Sequence, residues 1–383
     1  MKLLMIDWDT FVIIDILMQF NEWGVDYDVW QHQFVPGIFD EEFEAEFGKR
    51  VVNGKYDGVF SVNYFSQIAK CCYKENIKYI SWSYDCPLNT VNIEETLGCE
   101  TNYVFLFDRE SCEKYRSRGF KTVYYMPLAV NTKRLDEVMV SREDELKYNA
   151  DISFVGRLYN TQYNELCGQL EDYLRGYWEA ILRASTFMYG YNMTDAMLTD
   201  DFKKIIKNQL YINANKIITC ENVGFISYYE VTYRERVRLI NELSRICDFK
   251  LYTYENPTEC PGAVFMGKCE YLTEMPKVFK ASKICFHQTV KGISSGIPLR
   301  CMDILGSKGL LFSNYQAELL DYFEPFKDIM IYEGPEDAQD KAKWLLSHEN
   351  EREQMKVNAY NKVKELFSYD IQLAKIIKIS GLM

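Results

Sequence analysis

Short apolar runs alternate with amphipathic stretches along the first third of the chain. Several of the runs are followed by a stretch with a period near 3.6, which predicts a buried strand and then a helix. Gly24 ends the first periodic stretch, Phe11–Trp23, where a helix C-cap is expected. The predicted strands of this part are Lys2–Trp8, Tyr27–Gln31, Asp57–Val62, Lys78–Ser83, Tyr103–Phe107 and Thr122–Met126.

The alternation returns later in the chain, after a long helical stretch. It predicts parallel sheets with helical crossovers, an α/β fold whose ligand edge lies at the carboxyl ends of the strands. The helical stretch, about 162–222, is too long for a loop and is predicted as an insertion. We predict a first domain over 1–140, a second over 141–355 and closing helices over 356–383, with the charged segment 135–150 as connector. The later predicted strands are Asp151–Gly156, Phe249–Thr253, Lys283–His287 and Gly309–Ser313.

The composition is that of a globular protein long enough for two domains, with 383 residues and 48% hydrophobic positions. A formal net charge of −12 disfavours nucleic acid and anionic membranes as partners. The 12 cysteines lack zinc-ligand spacing, which indicates reduced thiols. No apolar run approaches the ~20 residues of a membrane span, and the N-terminus is not a signal peptide. We therefore expect a cytoplasmic protein without a transmembrane segment.

The segment SGIPLRCMDILG, at 295–306, is the richest in residues suited to chemistry. Its turn leads into a predicted helix whose N-terminal amides and dipole favour an anion. The arginine offers a planar fork to phosphate oxygens, and the aspartate one turn later offers an acceptor to sugar hydroxyls. The alternative is an ordinary capped helix with an internal ion pair. The candidate donor-binding residues here are Gly296, Ile297, Pro298, Arg300 and Asp303.

A second candidate phosphate site follows the strand that opens the second unit. Gly156 permits close backbone approach, and Arg157 directly after it supplies a cation. The alternative is a surface arginine after a turn. Glu274, before a short helix, is a weaker candidate for contact with the base or ribose of a nucleotide.

Acidic residues end two of the predicted strands in the first domain. Asp7 and Asp9 imitate a metal-binding DxD motif, but they follow the first strand, so we expect them to line the cleft or cap the next helix. Asp85 ends another strand, which Pro87 prevents from continuing. All three carboxylates are candidate catalytic bases, and a turn or capping role is the alternative.

Aromatic residues accompany these acids. Trp8, Trp82 and Tyr84 are candidates to stack on a sugar ring on the acceptor side, and a place in the core is the alternative. His287 ends a strand of the second domain, and its free pKa of ~6.5 suits acid–base work, although a core or loop histidine is more common.

Several segments together resemble the glycosyltransferases related to the spore maturation protein CgeB. In the C-terminal part the resemblance lies in SGIPLRCMDILGSKGLLFSNYQAELLDYF and EMPKVFKASKI. In the N-terminal part it lies in MKLLMIDWDTF, YISWSYDCP, NYVFLFDRE and VYYMPLAVN. The resemblance covers nearly the whole chain. It implies the GT-B type of fold, with two facing Rossmann-like domains, the helical insertion in the second, and a last helix that returns to the first.

More distantly, FVGR and LRCMDILG look like parts of glycosyltransferase family 4. The resemblance implies that Arg157 touches the donor diphosphate and that Asp303 replaces the glutamate that holds the ribose. Two positions depart from that pattern, because Ser295 stands where a second glutamate is usual and the lysine after the phosphate arginine is missing. Arg300 is a candidate to supply the missing charge.

The resemblance implies a hexosyltransferase that moves a sugar from a nucleotide-sugar, UDP-sugar favoured, to a protein or glycan acceptor. No cofactor and no metal ion is expected, because arginines and a helix N-terminus would stabilise the leaving nucleotide. Two rival interpretations are an inactive nucleotide-sugar-binding protein and a partner protein in glycan assembly.

Overall fold

The computed structural model describes residues 1–34, 40–88, 93–214 and 219–382. The chain forms two compact units. The first comprises Met1–Thr132, Ser295–Met302 and Lys362–Met383, and the second comprises Lys133–Ser294 and Asp303–Asn361.

Each unit contains a six-stranded sheet in which all paired strands run parallel. The strand orders are β2-β1-β3-β4-β5-β6 and β12-β11-β10-β7-β8-β9, so the predicted doubly wound α/β fold is confirmed. The strands are β1 Lys2–Asp7, β2 Asp26–Gln31, β3 Gly58–Val62, β4 Lys78–Ser83, β5 Asn102–Leu106, β6 Val123–Tyr125, β7 Ala150–Val155, β8 Phe249–Tyr252, β9 Val264–Gly267, β10 Ser282–His287, β11 Leu311–Asn314 and β12 Met330–Tyr332.

Helices connect the strands and extend the second unit. They are α1 Val12–Trp23, α2 Glu41–Gly54, α3 Ser66–Lys74, α4 Glu94–Leu97, α5 Arg109–Ser117, α6 Thr132–Glu137, α7 Arg142–Tyr148, α8 Tyr163–Cys167, α9 Asp172–Ser185, α10 Met193–Met197, α11 Asp200–Ala214, α12 Cys220–Ser244, α13 Met275–Ala281, α14 Leu299–Gly306, α15 Ala317–Tyr322, α16 Pro335–Ser347, α17 Glu349–Leu366 and α18 Tyr369–Ile379.

The chain reverses its direction of winding once in each sheet. In the first sheet the reversal lies between β1 and β3, and in the second it lies between β7 and β10. Ligands of open α/β sheets bind outside the carboxyl ends of the strands at such a point. The loops after β1, β3, β7 and β10 are therefore the places where a site is expected.

The core of the first unit is built by strands that are buried on both faces, since every residue of β3 is buried. Gly24 closes α1 with a φ of 64°, the left-handed conformation that glycine adopts without strain. The C-terminal helix α18 joins this unit, where the Trp23 indole donates to Asp370 Oδ1 at 3.0 Å.

The inserted helices of the second unit have a core of their own around Trp178. The Trp178 side chain is fully buried and donates to Ser227 Oγ at 2.9 Å. The predicted end of the insertion near 222 is too early, because α12 continues the helical region to Ser244 before β8 begins. The predicted connector 135–150 contains α7 and the second half of α6 and lies within the second unit.

Within the described ranges, no helix is long and apolar enough to cross a membrane. None of the twelve cysteines forms a disulfide bond, and most of them are buried.

Candidate functional site

The loop after β1 is organised by the carboxylate of Asp7. Asp7 is buried, and its Oδ1 accepts hydrogen bonds from the amides of Asp9 at 3.0 Å and Thr10 at 3.1 Å. Asp9 is exposed and has a φ of 71°, which is unusual for a residue with a Cβ. Asp7 therefore holds the turn before α1. Among the residues that the structure describes, no three His, Cys, Asp or Glu side chains are arranged to hold a metal ion.

The loop after β4 presents Asp85 through contacts made by Asn63, which follows β3. Asn63 Nδ2 donates to Asp85 Oδ2 at 2.7 Å, and Asn63 Oδ1 accepts from the amides of Tyr84 at 3.0 Å and Asp85 at 3.3 Å. Asp85 as a whole is exposed, yet the protein around its carboxyl removes enough water to raise its pKa, which the Asn63 hydrogen bond opposes. A carboxylate with a raised pKa is suited to accept a proton.

Aromatic side chains lie beside Asp85. Trp8 and Tyr84 stack with ring centroids 6.3 Å apart and planes at 15°, and Phe11 lies 5.9 Å from Tyr84. Such a group is a suitable platform for a sugar ring. Trp82 is only 4% exposed and meets Tyr369 edge to face at 5.9 Å, so its ring belongs to the core and is not presented on the surface.

The turn before the predicted anion-binding helix is held by an internal carboxylate. Asp108 Oδ2 accepts from the amides of Ser295 at 2.8 Å and Gly296 at 2.9 Å, while its Oδ1 caps α5 through the amide of Ser111 at 2.7 Å. A Cβ on Gly296 would lie 2.9 Å from the Asp108 Cα and from the Phe107 carbonyl oxygen. The amides of Ser295 and Gly296 are therefore used within the protein, and anion binding at the N-terminus of α14, which begins at Leu299, stays a prediction.

The other residues of this segment differ in burial. Ile297 and Pro298 are buried, and Arg300, on the first turn of α14, is partly exposed. Asp303 is 5% exposed, and its Oδ1 accepts from the Tyr271 hydroxyl at 2.9 Å.

Arg157 stands at the carboxyl end of β7, beside the reversal of the second sheet. The Gly156 amide completes the strand by donating to the Tyr252 carbonyl at 3.0 Å. The Arg157 guanidinium is exposed and lies between two aromatic rings, 5.1 Å from the centroid of Tyr159 and 5.3 Å from that of Tyr254. No carboxylate of the described residues forms an ion pair with it, so its charge is available to an anion.

His287 ends β10 on the other side of the reversal, but its side chain is 5% exposed. Its carbonyl oxygen accepts from the Tyr332 hydroxyl at 2.8 Å. The residue is thus packed into the sheet at the base of the loop.

Glu274 is engaged with groups of its own unit. It accepts from the Glu270 amide at 3.1 Å, the Tyr148 hydroxyl at 2.9 Å and Lys147 Nζ at 3.1 Å. These contacts hold the pKa of Glu274 below its ordinary value, and the hydrogen bond from the Glu270 amide has the largest effect. Tyr271, which binds Asp303, belongs to the same turn.

Three residues of the first unit were missed by the sequence patterns. Asn63 follows β3 directly and Asp108 lies two positions after β5, and a polar residue near the end of a strand is the signal that marks the ligand edge of a parallel sheet. Phe11 was assigned only to a helix, although it is 39% exposed beside Tyr84.

Comparison with known proteins defines the fold. Residues 234–378 match the sequence profile of a protein family described as glycosyl transferase-like. The two parallel six-stranded sheets and the structural likenesses below show a GT-B fold, and the segment 234–378 is similar to this family.

Solved structures of this fold resemble the chain over its whole length. Sucrose-phosphate synthase of Thermosynechococcus elongatus has a TM-score of 0.58 at 9% identity, with 99% of this chain and 98% of that chain covered. A glycosyltransferase of Rickettsia africae has a TM-score of 0.55 at 10% identity, with 99% and 97% covered. HepE of Anabaena, solved with UDP-glucose, has a TM-score of 0.54 at 10% identity, with 100% of each chain covered. No match was found among curated protein sequences.

Proposed function

We propose that the protein transfers a hexose from a UDP-hexose to a protein or glycan acceptor without a metal ion. The observation that carries the proposal is the exposed Arg157 guanidinium, oriented by two tyrosine rings at the carboxyl edge of a GT-B sheet. The likeness to HepE, which was solved with UDP-glucose, supports UDP as the nucleotide.

The leaving nucleotide develops negative charge as the bond between sugar and phosphate breaks. Arg157 stabilises that charge through its planar fork, and we assign Arg300 on the first turn of α14 as a second cation. Because these charges are fixed in place before the reaction, they replace the neutralising role that a metal ion has in other transferases.

The acceptor hydroxyl must lose a proton as it attacks the anomeric carbon. We assign this step to Asp85, whose pKa is raised by loss of water around the carboxyl and whose position is fixed by Asn63. Trp8 and Tyr84 would hold the acceptor sugar beside it through their stacked rings.

The test is calorimetric titration of the purified protein with UDP, GDP, dTDP and CMP, followed by transfer assays with UDP-glucose in EDTA. We expect UDP to bind, and Arg157→Gln to weaken that binding by about tenfold or more, since a charge-assisted hydrogen bond contributes about 1.5 to 3 kcal/mol. Arg175→Gln is the matched control, because Arg175 is exposed on α9 and paired with Asp172.

Binding of no nucleotide by the folded protein would overturn the proposal. Binding of UDP without any turnover, over a wide range of acceptors, would instead favour a nucleotide-sugar-binding protein. Activity that appears only when Mg²⁺ or Mn²⁺ is added would refute the metal-independent part alone.

A further inference from the structure

We infer that Glu255 and Arg236 are positioning residues that fix the backbone of the Arg157 loop and thereby set the affinity for the donor diphosphate. This inference rests on the proposed function and adds two residues that do not themselves touch the donor. Glu255 holds the amides of the loop, and Arg236 holds a carbonyl.

Glu255 follows β8, the strand next to β7, and its carboxylate accepts hydrogen bonds from three consecutive amides. The donors are the amides of Leu158, Tyr159 at 3.0 Å and Asn160 at 3.1 Å. Tyr159 has a φ of 68°, and this left-handed residue turns the three amides toward one point. Thr253 Oγ1 supports the carboxylate by donating to its Oε2 at 3.2 Å. The anion thus holds the loop in a conformation that a tyrosine seldom adopts.

Arg236, on α12, binds the backbone of the same loop. One arm of its guanidinium donates to the Arg157 carbonyl oxygen, and Nε donates to the Gln288 carbonyl oxygen at 3.2 Å. Its Cζ lies 5.2 Å from the ring centroid of Phe154 and 5.0 Å from that of Tyr159. Arg157 follows β7 and Gln288 follows β10, so one side chain joins the two loops that flank the reversal of the sheet.

The burial of Arg236 indicates that this position requires an arginine for its hydrogen bonds. The side chain is 4% exposed, and removal from water lowers its pKa. A buried guanidinium that donates to carbonyl groups has a desolvation cost that an apolar side chain of similar size would avoid. Its geometry offers what an apolar residue cannot, a rigid fork that reaches two separate loops.

These contacts determine where the Arg157 side chain lies, because Arg236 binds the Arg157 carbonyl oxygen and Glu255 binds the amides that follow. The Arg157 guanidinium rests against the ring of Tyr159, and Tyr159 is itself held by Glu255 through its amide and by Arg236 through its ring. Loss of either Glu255 or Arg236 would let the cation move away from the diphosphate without removing it. Preorganisation of this kind is what determines how much a charged side chain contributes to binding.

The decisive experiment is a double-mutant cycle of Glu255→Gln and Arg157→Gln, in which the affinities for UDP and for uridine are measured by calorimetric titration. Glu255→Gln keeps the shape of the side chain but places an amide NH2 donor against one of the backbone N–H donors of the loop. We expect it to weaken UDP binding about tenfold and to leave uridine binding unchanged, because uridine lacks the phosphates. In the Arg157→Gln background the same substitution should change UDP affinity less than twofold, since its effect acts through Arg157.

Matched variants separate positioning from loss of folding. Glu259→Gln makes the same substitution on an exposed residue of the same loop and should leave both affinities unchanged. Thr253→Val keeps the fold while removing the support of the carboxylate, and should shift UDP affinity in the same direction by a smaller factor. Arg236→Lys, which cannot reach both carbonyls, should reproduce the phosphate-specific loss if it folds, as judged by circular dichroism.

Equal loss of UDP and uridine binding in E255Q would assign Glu255 to general stability and overturn the inference, as would multiplicative effects in the cycle. If the wild-type protein binds UDP and E255Q binds it equally well, the inference fails alone. If the wild-type protein binds no UDP, the proposed function fails, and the inference fails with it.

Discussion

Asp108 is expected to be one of the most sensitive polar residues of the first unit. Its carboxylate is fully buried and accepts three amide hydrogen bonds, one at the N-terminus of α5 and two from the turn at Ser295 and Gly296. An N-cap bond to a single amide contributes about 1 kcal/mol. Each further bond to a charged acceptor contributes about 1.5 kcal/mol. We therefore expect Asp108→Ala to lower the free energy of unfolding of this unit by about 4 kcal/mol.

The measurement is urea denaturation followed by tryptophan fluorescence, with the transition of each unit analysed separately, because two units need not unfold together. The matched control is Asp40→Ala, since Asp40 caps α2 through the single amide of Phe43 at 2.9 Å. Its other oxygen lies 3.1 Å from His32 Nε2 in a partly exposed pair, so the loss should be about 1 to 2 kcal/mol. Losses of the same size in the two variants would show that the carboxylate does not hold the 295–296 turn, and would refute the reasoning.

Three other outcomes follow from the structure. Burial raises the pKa of Asp85 and the hydrogen bond from Asn63 lowers it, so Asn63→Ala should raise the pKa of Asp85 further. Because a base works only when it is deprotonated, the acidic limb of the kcat/KM profile should then move to higher pH. Gly296→Ala should cost about 1 to 3 kcal/mol in thermal melting because its Cβ would meet atoms at 2.9 Å, whereas Gly176→Ala, inside α9 with nothing within 4 Å, should stabilise by about 0.5 to 1 kcal/mol. Transfer from UDP-glucose should proceed equally well in EDTA and in Mg²⁺. An acidic limb that does not move in Asn63→Ala would contradict the first expectation, and equal effects of the two alanine substitutions would contradict the second. A requirement for the metal ion would contradict the third.

The sheets were predictable because their strands are continuous apolar runs separated by periodic helices. The elements that escaped prediction lack that signal. Strand β9 is mostly exposed, β12 has three residues, and α2 buries only Phe43 and Phe47 among many charges. An edge strand gains its stability from one neighbour, and a pattern of local hydrophobicity does not record that neighbour.

The candidate site was predictable only where a residue type and a strand end coincide. Arg157 and Asp85 met that condition. Asp108 also lies near a strand end, but its role escaped prediction because the amides of Ser295 and Gly296 that it binds lie more than 180 positions later in the chain. Arg236 escaped for a related reason, since the sequence YRERVR of α12 has the alternating charge of a solvated helix face. Tertiary hydrogen bonds of this kind leave no local pattern.

Arg157 and Arg236 show why residue type alone does not identify a binding residue. Both guanidinium groups lie against the ring of Tyr159, at 5.1 Å and 5.0 Å. Arg236 is buried and directs its hydrogen bonds at backbone carbonyls, so its donors are used within the protein. Arg157 is exposed, and aromatic faces orient it without using its N–H groups, so its donors remain for a ligand. The distinction rests on which hydrogen-bond donors the fold has already satisfied. It favours Arg157 over Arg236 as the residue that contacts the phosphate in the proposed function.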